Sequence, residues 1–220
     1  MNAPETPRPM GKVVSKEILL ADLERYRQLA LQLGASGAVV IPADQVIVDE
    51  RVRLKCIIPR CPRAGETPYC PPNAPDIDLS RRTLGWFSWG ILFKYQIEPI
   101  ADYDPSRKTA TKDEQRRVFS FHNKTSDIVF KIERQAYKDG YHLAMGFGGG
   151  SCKDYLCKGL MCQFIDSGRC RFPGHSRPAM EAMGIDVTGL VNGVGWNVYA
   201  LLDDLAVIPC AISVGIVFIC

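Results

Sequence analysis

Nine cysteines in 220 residues, seven of them gathered in two short arrays, constrain this chain more than any other feature. The first array is Cys56-x4-Cys61-x8-Cys70-Pro71-Pro72, and the second is Cys152-x4-Cys157-x4-Cys162-x7-Cys170-Arg171-Phe172-Pro173. The start, Met1 to Pro9, is polar and proline-rich rather than basic and then apolar, so it does not read as a secretory leader. Without that leader a disulfide framework is not expected, and reduced thiols that hold metal are.

A metal cluster needs several soft thiolates converging from a loop without regular hydrogen bonding, and short spacings broken by Gly and Pro provide such loops. Zinc sites usually show two Cys-x2-4-Cys knuckles around a longer spacer. The second array has four cysteines within nineteen residues and no clean pair of knuckles, a pattern that favours an iron–sulfur cluster over zinc or redox thiols. The first array offers only three. Its fourth ligand comes from elsewhere (Cys210, a histidine or a second-array residue), or one iron is open to an exogenous ligand, with Cys220 a further candidate to fold back and close the set.

With 46% hydrophobic, 23% charged and 9% aromatic residues, the composition describes a soluble chain able to bury a core, and it excludes whole-chain disorder and a fibrous protein. Lys and Arg number 27 against 24 Asp and Glu, a net charge of +3 that is too small to indicate nucleic acid. Cations do gather locally: Arg51, Arg53, Lys55, Arg60 and Arg63 at the first array, and Lys153, Lys158, Arg169, Arg171 and Arg177 at the second. No aromatic residues interleave the first run, so nucleic acid is not the expected partner. Arg53, Lys55, Arg171 and Arg177 are instead expected to bind the cofactor by balancing the negative charge of a thiolate-held cluster. The uncharged run Leu205–Cys220 is too short to span a membrane as a helix and is interrupted by Pro209 and Gly215. It reads as a buried strand.

Residues 1–14 read as a flexible tail and 15–220 as one compact α/β domain. Leu19, Leu23, Tyr26, Ala30 and Leu33 form a helical stripe that Gly34 ends. Strands are expected at Ala38–Ile41, Val46–Val48, Ile91–Ile97 and Tyr141–Phe147. A second long helix starts at the capping box Thr111-Lys-Asp-Glu114, carries the stripe Val118, Phe121, Thr125, Ile128 and Ile132, and stops at Gly140. A third helix is expected from Ser176-Arg-Pro178 to Gly184. Residues 15–100 and 111–220 then share an order of helix, glycine, strand and cysteine-rich loop, which suggests two similar halves.

His122 and His142 are expected as packed or exposed residues, whereas His175, in a loop five residues after Cys170, qualifies as a ligand or proton donor. Trp86, Phe87 and Trp89 are expected to form core or to shield a cluster from water. Gly146-Phe-Gly-Gly-Gly150 lacks the Lys-Ser/Thr of a phosphate-binding loop and opens into cysteines, so it is not a nucleotide site.

Val52-Arg-Leu-Lys-Cys56, Cys61, Cys70-Pro-Pro72, and Cys170-Arg-x-Pro173 followed by Ser176-Arg-Pro-Ala-Met-Glu-Ala-Met-Gly-Ile-Asp-Val187 carry a resemblance. Over most of residues 16–196 the chain resembles an uncharacterised family of small predicted metal-binding proteins, domain of unknown function 2284, frequent in anaerobic bacteria and archaea. The resemblance implies a cytoplasmic iron–sulfur protein with ligands at Cys56, Cys61, Cys70, Cys152, Cys157, Cys162 and Cys170. It supplies no reaction and no catalytic residue. The expected function is to bind one or two clusters, most simply two [4Fe-4S], and to pass low-potential electrons to a redox partner protein or an anaerobic enzyme. The alternatives are catalysis of a reductive or sulfur- or oxygen-removing reaction at an open iron of the three-cysteine site, and a zinc-stabilised binding module.

Overall fold

The C-terminal run supplies the strand around which the rest is built. A computed structural model describes residues 7–97, 112–200 and 207–220, with the side chains of 112–120 excepted. Four strands, β1 (Gly37–Pro42), β2 (Trp89–Ile97), β3 (Met145–Phe147) and β4 (Ala211–Phe218), form one antiparallel sheet in the order β1-β2-β4-β3. β2 and β4 are central and pair from Gly90↔Phe218 to Ile97↔Ala211. A strand covered on both faces needs apolar residues at every position rather than at alternate ones, and that need accounts for the uncharged run.

Alternation then sorts the side chains into two cores. Ile91, Phe93, Val217 and Ile219 face the layer of the two long helices, α1 (Lys16–Gln32) and α4 (Lys112–Lys138), where Leu23, Tyr26, Ala30, Ile128 and Ile132 meet them. Leu92, Val214, Ile216 and Phe218 face the other way, onto Met180, Met183, Ile185, Leu190 and Val191. A Cβ at Gly215 would stand 3.0 Å from Thr125 Cγ2 and from Val129 Cγ2, so the glycine is what lets α4 lie close against the sheet. Helix α1 begins where the Ser15 hydroxyl accepts from Ile18 N at 3.4 Å and ends before Gly34, at φ +103°. Four further short helices, α2 (Glu50–Leu54), α3 (Ile77–Leu84), α5 (Cys152–Tyr155) and α7 (Val187–Gly193), start at the side-chain caps Asp49, Asp76, Ser151 and Asp186. The last short helix is α6 (Gln163–Ser167).

Several expected elements differ. Val46–Val48 is not a strand: it leaves a 3-10 turn at Ala43–Gln45 and makes one bridge, Val48↔Ile185, because the sheet's first edge is already ended at Pro42. The strand expected over Tyr141–Phe147 is shortened to its last three residues, since His142 N and Ala144 N bond back to Gly140 O and Tyr141 O in a turn. Between Ser176 and Gly184 only Glu181–Met183 coils, as a 3-10 turn, because Gly148 exchanges hydrogen bonds with Pro178 O and Met180 N and holds that stretch extended. Phe87 packs on Phe218 as expected, but Trp86 is 86% exposed and serves no core. The capping box at Thr111 lies outside the described residues.

Of the expected tail, residues 1–6 are outside the description, and Arg8 is held in place. Its guanidinium donates to both oxygens of the buried Asp22 at 2.6 and 2.8 Å, while Arg25 and Tyr141 donate to the same carboxylate at 2.7 and 2.8 Å. Burial pushes the Asp22 carboxyl up, but these donors outweigh it and hold the group below its ordinary value. Asp22→Ala leaves Arg8 and the Tyr141 hydroxyl without their acceptor while Arg25 keeps Asp139, and is expected to cost about 1–3 kcal/mol in urea unfolding. A folded pKa below the unfolded one means that the stabilisation is complete above about pH 4 and is lost as pH falls through the lower folded value. A pH series of urea midpoints on wild type and variant checks this; a gap between them that persists undiminished well below pH 4 would contradict it.

Candidate metal centre

The second array leaves the sheet directly from β3. Ser151 accepts from Lys153 N and starts α5 at Cys152; a turn at Lys158 and Gly159, both at positive φ, carries the chain to Cys162, which begins α6. Cys152, Cys157, Cys162 and Cys170 all line one narrow pocket, shared with Thr67, Tyr69 and Phe172. Thr67 and Tyr69 belong to the first array, so the two arrays meet there.

The first array follows α2. Cys56 and Cys61 sit half-buried in a run of tight turns, with Cys61 N bonded to Cys56 O at 3.1 Å, and both line a second cavity of about 370 Å³. Its walls also carry Lys55, His122, Glu181 and Ser213. Cys70 stands between the arrays: its Sγ accepts from Thr67 Oγ1 at 3.2 Å and lies 3.9 Å from Ser151 Oγ, next in sequence to Cys152. Ion pairs cross the same junction. Arg63 reaches Asp154 at 2.6 Å and Glu66 at 3.1 Å, and Lys153 reaches Glu66 at 3.0 Å.

The donor chemistry fits a thiolate-held metal group. No cysteine is in a disulfide. Backbone amides two residues on donate to sulfur at Arg63 N→Cys61 Sγ, 3.4 Å, and at Phe172 N→Cys170 Sγ, 3.3 Å; such bonds stabilise anionic sulfur and tune a bound cluster. Burial pushes the Cys152 thiol up to about 12, helped by Cys70, Cys157, Cys162 and Cys170 nearby. Cys56 is raised by burial and by Cys61, Glu181 and Cys70. Thiols that oppose one another's ionisation give up their protons together only to a cation. Among the described residues no three His, Cys, Asp or Glu side chains converge closely enough to hold a single ion; the sulfurs are spread around a pocket.

Three of the four cations expected at the cofactor tie down backbone. Arg53 donates to Pro75 O and to Ala74 O, Arg171 to Met161 O at 2.7 Å, and Arg177 to Ser176 O at 2.8 Å and to Glu133 at 2.7 Å. Lys55 borders the cavity beside Cys56 and Cys61. His175 donates from Nε2 to Asp127 Oδ1, 3.0 Å away, and stacks on Phe130, turned to that pair. His142 is exposed on its turn. Cys220, two residues beyond β4, packs on the long-helix side, where its carbonyl accepts from Trp89 N. His122, expected as a packed or exposed residue, is packed: Gly149 and Gly150 lie against its ring.

An α/β fold that sets four free cysteines around one pocket, with Cys70 beside them and Cys56 and Cys61 on a second cavity, defines a candidate thiolate metal-binding protein. The sequence profile of the family described as Predicted metal-binding protein (DUF2284) matches residues 39–213, spanning both arrays, and the chain belongs to that family. No curated protein and no solved structure matches the chain.

Proposed function

We propose that the chain, as one domain over residues 15–220, is a cytoplasmic iron–sulfur protein of anaerobic metabolism that holds two [4Fe-4S] clusters and passes low-potential electrons to or within a reductase system. Cys152, Cys157, Cys162 and Cys170 would hold one cluster, and Cys56, Cys61 and Cys70 would be the thiolates of the other. The observation that carries the reading is Cys70, placed against Ser151 and Cys152, which sets the two thiol groups side by side. Adjacent clusters supply one-electron transfer, and the protein's part is to fix their separation and polarity. The Arg63–Asp154 and Lys153–Glu66 pairs do the first. Arg53, Lys55, Arg171 and Arg177 add positive charge to the loops, which favours the reduced state. The two expected halves fit this use, each giving a long helix, a strand and one cysteine array.

A second reading has its own observation. The cavity of about 370 Å³ borders Cys56 and Cys61 but none of the four cysteines of the second array, so catalysis at an open iron would belong there.

The reduced protein, prepared without oxygen, is expected to give an EPR spectrum of two cluster signals broadened by their mutual interaction. One unbroadened signal contradicts the paired-cluster reading. Bound zinc with no cluster signal favours a zinc-stabilised module and overturns it.

A further inference from the structure

We propose that His122 is the fourth protein ligand of the first cluster, joining Cys56, Cys61 and Cys70 through Nε2. The inference rests on the iron–sulfur reading above and decides what that reading leaves open, namely how a group with three thiolates is completed.

Position is the first argument. His122 shares its cavity with Cys56 and Cys61. Its ring lies against the glycine run so tightly that a Cβ would come within 3.0 Å of Nδ1 at Gly149 and 2.7 Å of Cδ2 at Gly150. The next residue, Ser151, is the one that stands 3.9 Å from Cys70 Sγ. Two of the three thiols thus line the imidazole's own cavity, and the third lies beside Ser151, next to the glycine run. Of the two distant thiols that might close the set, Cys220 sits seven residues along the chain from Ser213, roughly 23 Å at about 3.3 Å per strand residue, whereas Cys210, three residues from Ser213, is the thiol whose change to Ala must leave the histidine coupling described below intact. Ser213 is the neighbour of His122, so Cys220 is at the wrong end of the strand.

Orientation is the second. Histidines that bind metal through one nitrogen are almost always held through the other. His122 Nδ1 lies 3.1 Å from Ser213 Oγ, which lies 2.7 Å from the buried Thr125 Oγ1, itself 3.3 Å from Phe121 O. With Thr125 donating to Phe121 O and Ser213 donating to Thr125, Ser213 accepts from Nδ1–H, and metal binding selects this tautomer, which leaves the lone pair on Nε2. Nε2 has no hydrogen-bond partner among the described residues. The other two histidines lack this setting: His175 is paired with Asp127, and His142 is exposed.

The test is pulsed EPR on reduced protein grown with heavy-nitrogen histidine. The expected result is a histidine nitrogen coupled to one cluster signal, changed by the label, lost in His122→Ala and kept in His142→Ala and His175→Ala. His122→Cys is expected to retain iron and to lower the potential of that cluster, since a thiolate restores the negative charge an imidazole lacks. Should His122→Ala fail to fold, the labelled wild-type spectrum decides alone. Cluster signals without histidine nitrogen coupling, or a first-cluster signal shifted by added cyanide, overturn the assignment and leave the iron–sulfur reading standing with an open iron. Protein that binds neither iron nor sulfide overturns both.

Discussion

Removing residues 207–220 is expected to yield insoluble protein. β4 lies between β2 and β3, and its loss uncovers a hydrogen-bonding edge on each of them. Val214, Ile216, Val217, Phe218 and Ile219 are all buried, on both faces of the sheet. At about 1.5–3 kcal/mol for each buried side chain, their sum is comparable with the whole stability of an ordinary domain, about 5–15 kcal/mol. Fractionation of the expressed truncation, followed by size-exclusion chromatography, checks this. A soluble, monomeric, metal-loaded truncation would show that the segment is a detachable tail.

Cys157→Ser is expected to lose about four irons, one cluster's worth, together with a large part of the thermal stability. Serine keeps the backbone turn in which Cys157 N meets Cys152 O, so what is removed is the soft ligand. The second array is two short helices joined by turns, and metal binding there would be coupled to folding. Iron analysis beside thermal melting distinguishes ligand loss from general damage: full iron content in a folded variant removes Cys157 from the site.

Long periodic segments were legible in the sequence. Leu23, Tyr26 and Ala30 mark α1, and the uncharged C-terminal run marks β4, because a helix stripe and a two-face-buried strand each leave a pattern many residues long. Short elements were not. α2, α3 and α7 each follow an aspartate cap, at Asp49, Asp76 and Asp186, but five to eight residues carry too little periodicity to stand out among loops. Ser176-Arg-Pro178 offers good helix-start chemistry, and tertiary pairing of Gly148 with Pro178 and Met180 overrides it. The two cysteine arrays could be read from spacing alone. Their arrangement could not, since the junction at Cys70 and Ser151 joins positions 81 residues apart. His122 was hidden for the same reason: on α4 it reads as one more polar residue beside an apolar stripe, and only the folded chain sets Gly149, Gly150 and Ser213 around its ring.

The central claim is that the seven thiols hold iron and sulfide, and the most direct measurement is the content of iron, acid-labile sulfide and zinc in protein purified without oxygen. The account predicts about eight irons and about eight sulfides per chain, as two [4Fe-4S] clusters require. Zinc in place of iron, with no sulfide, would contradict it.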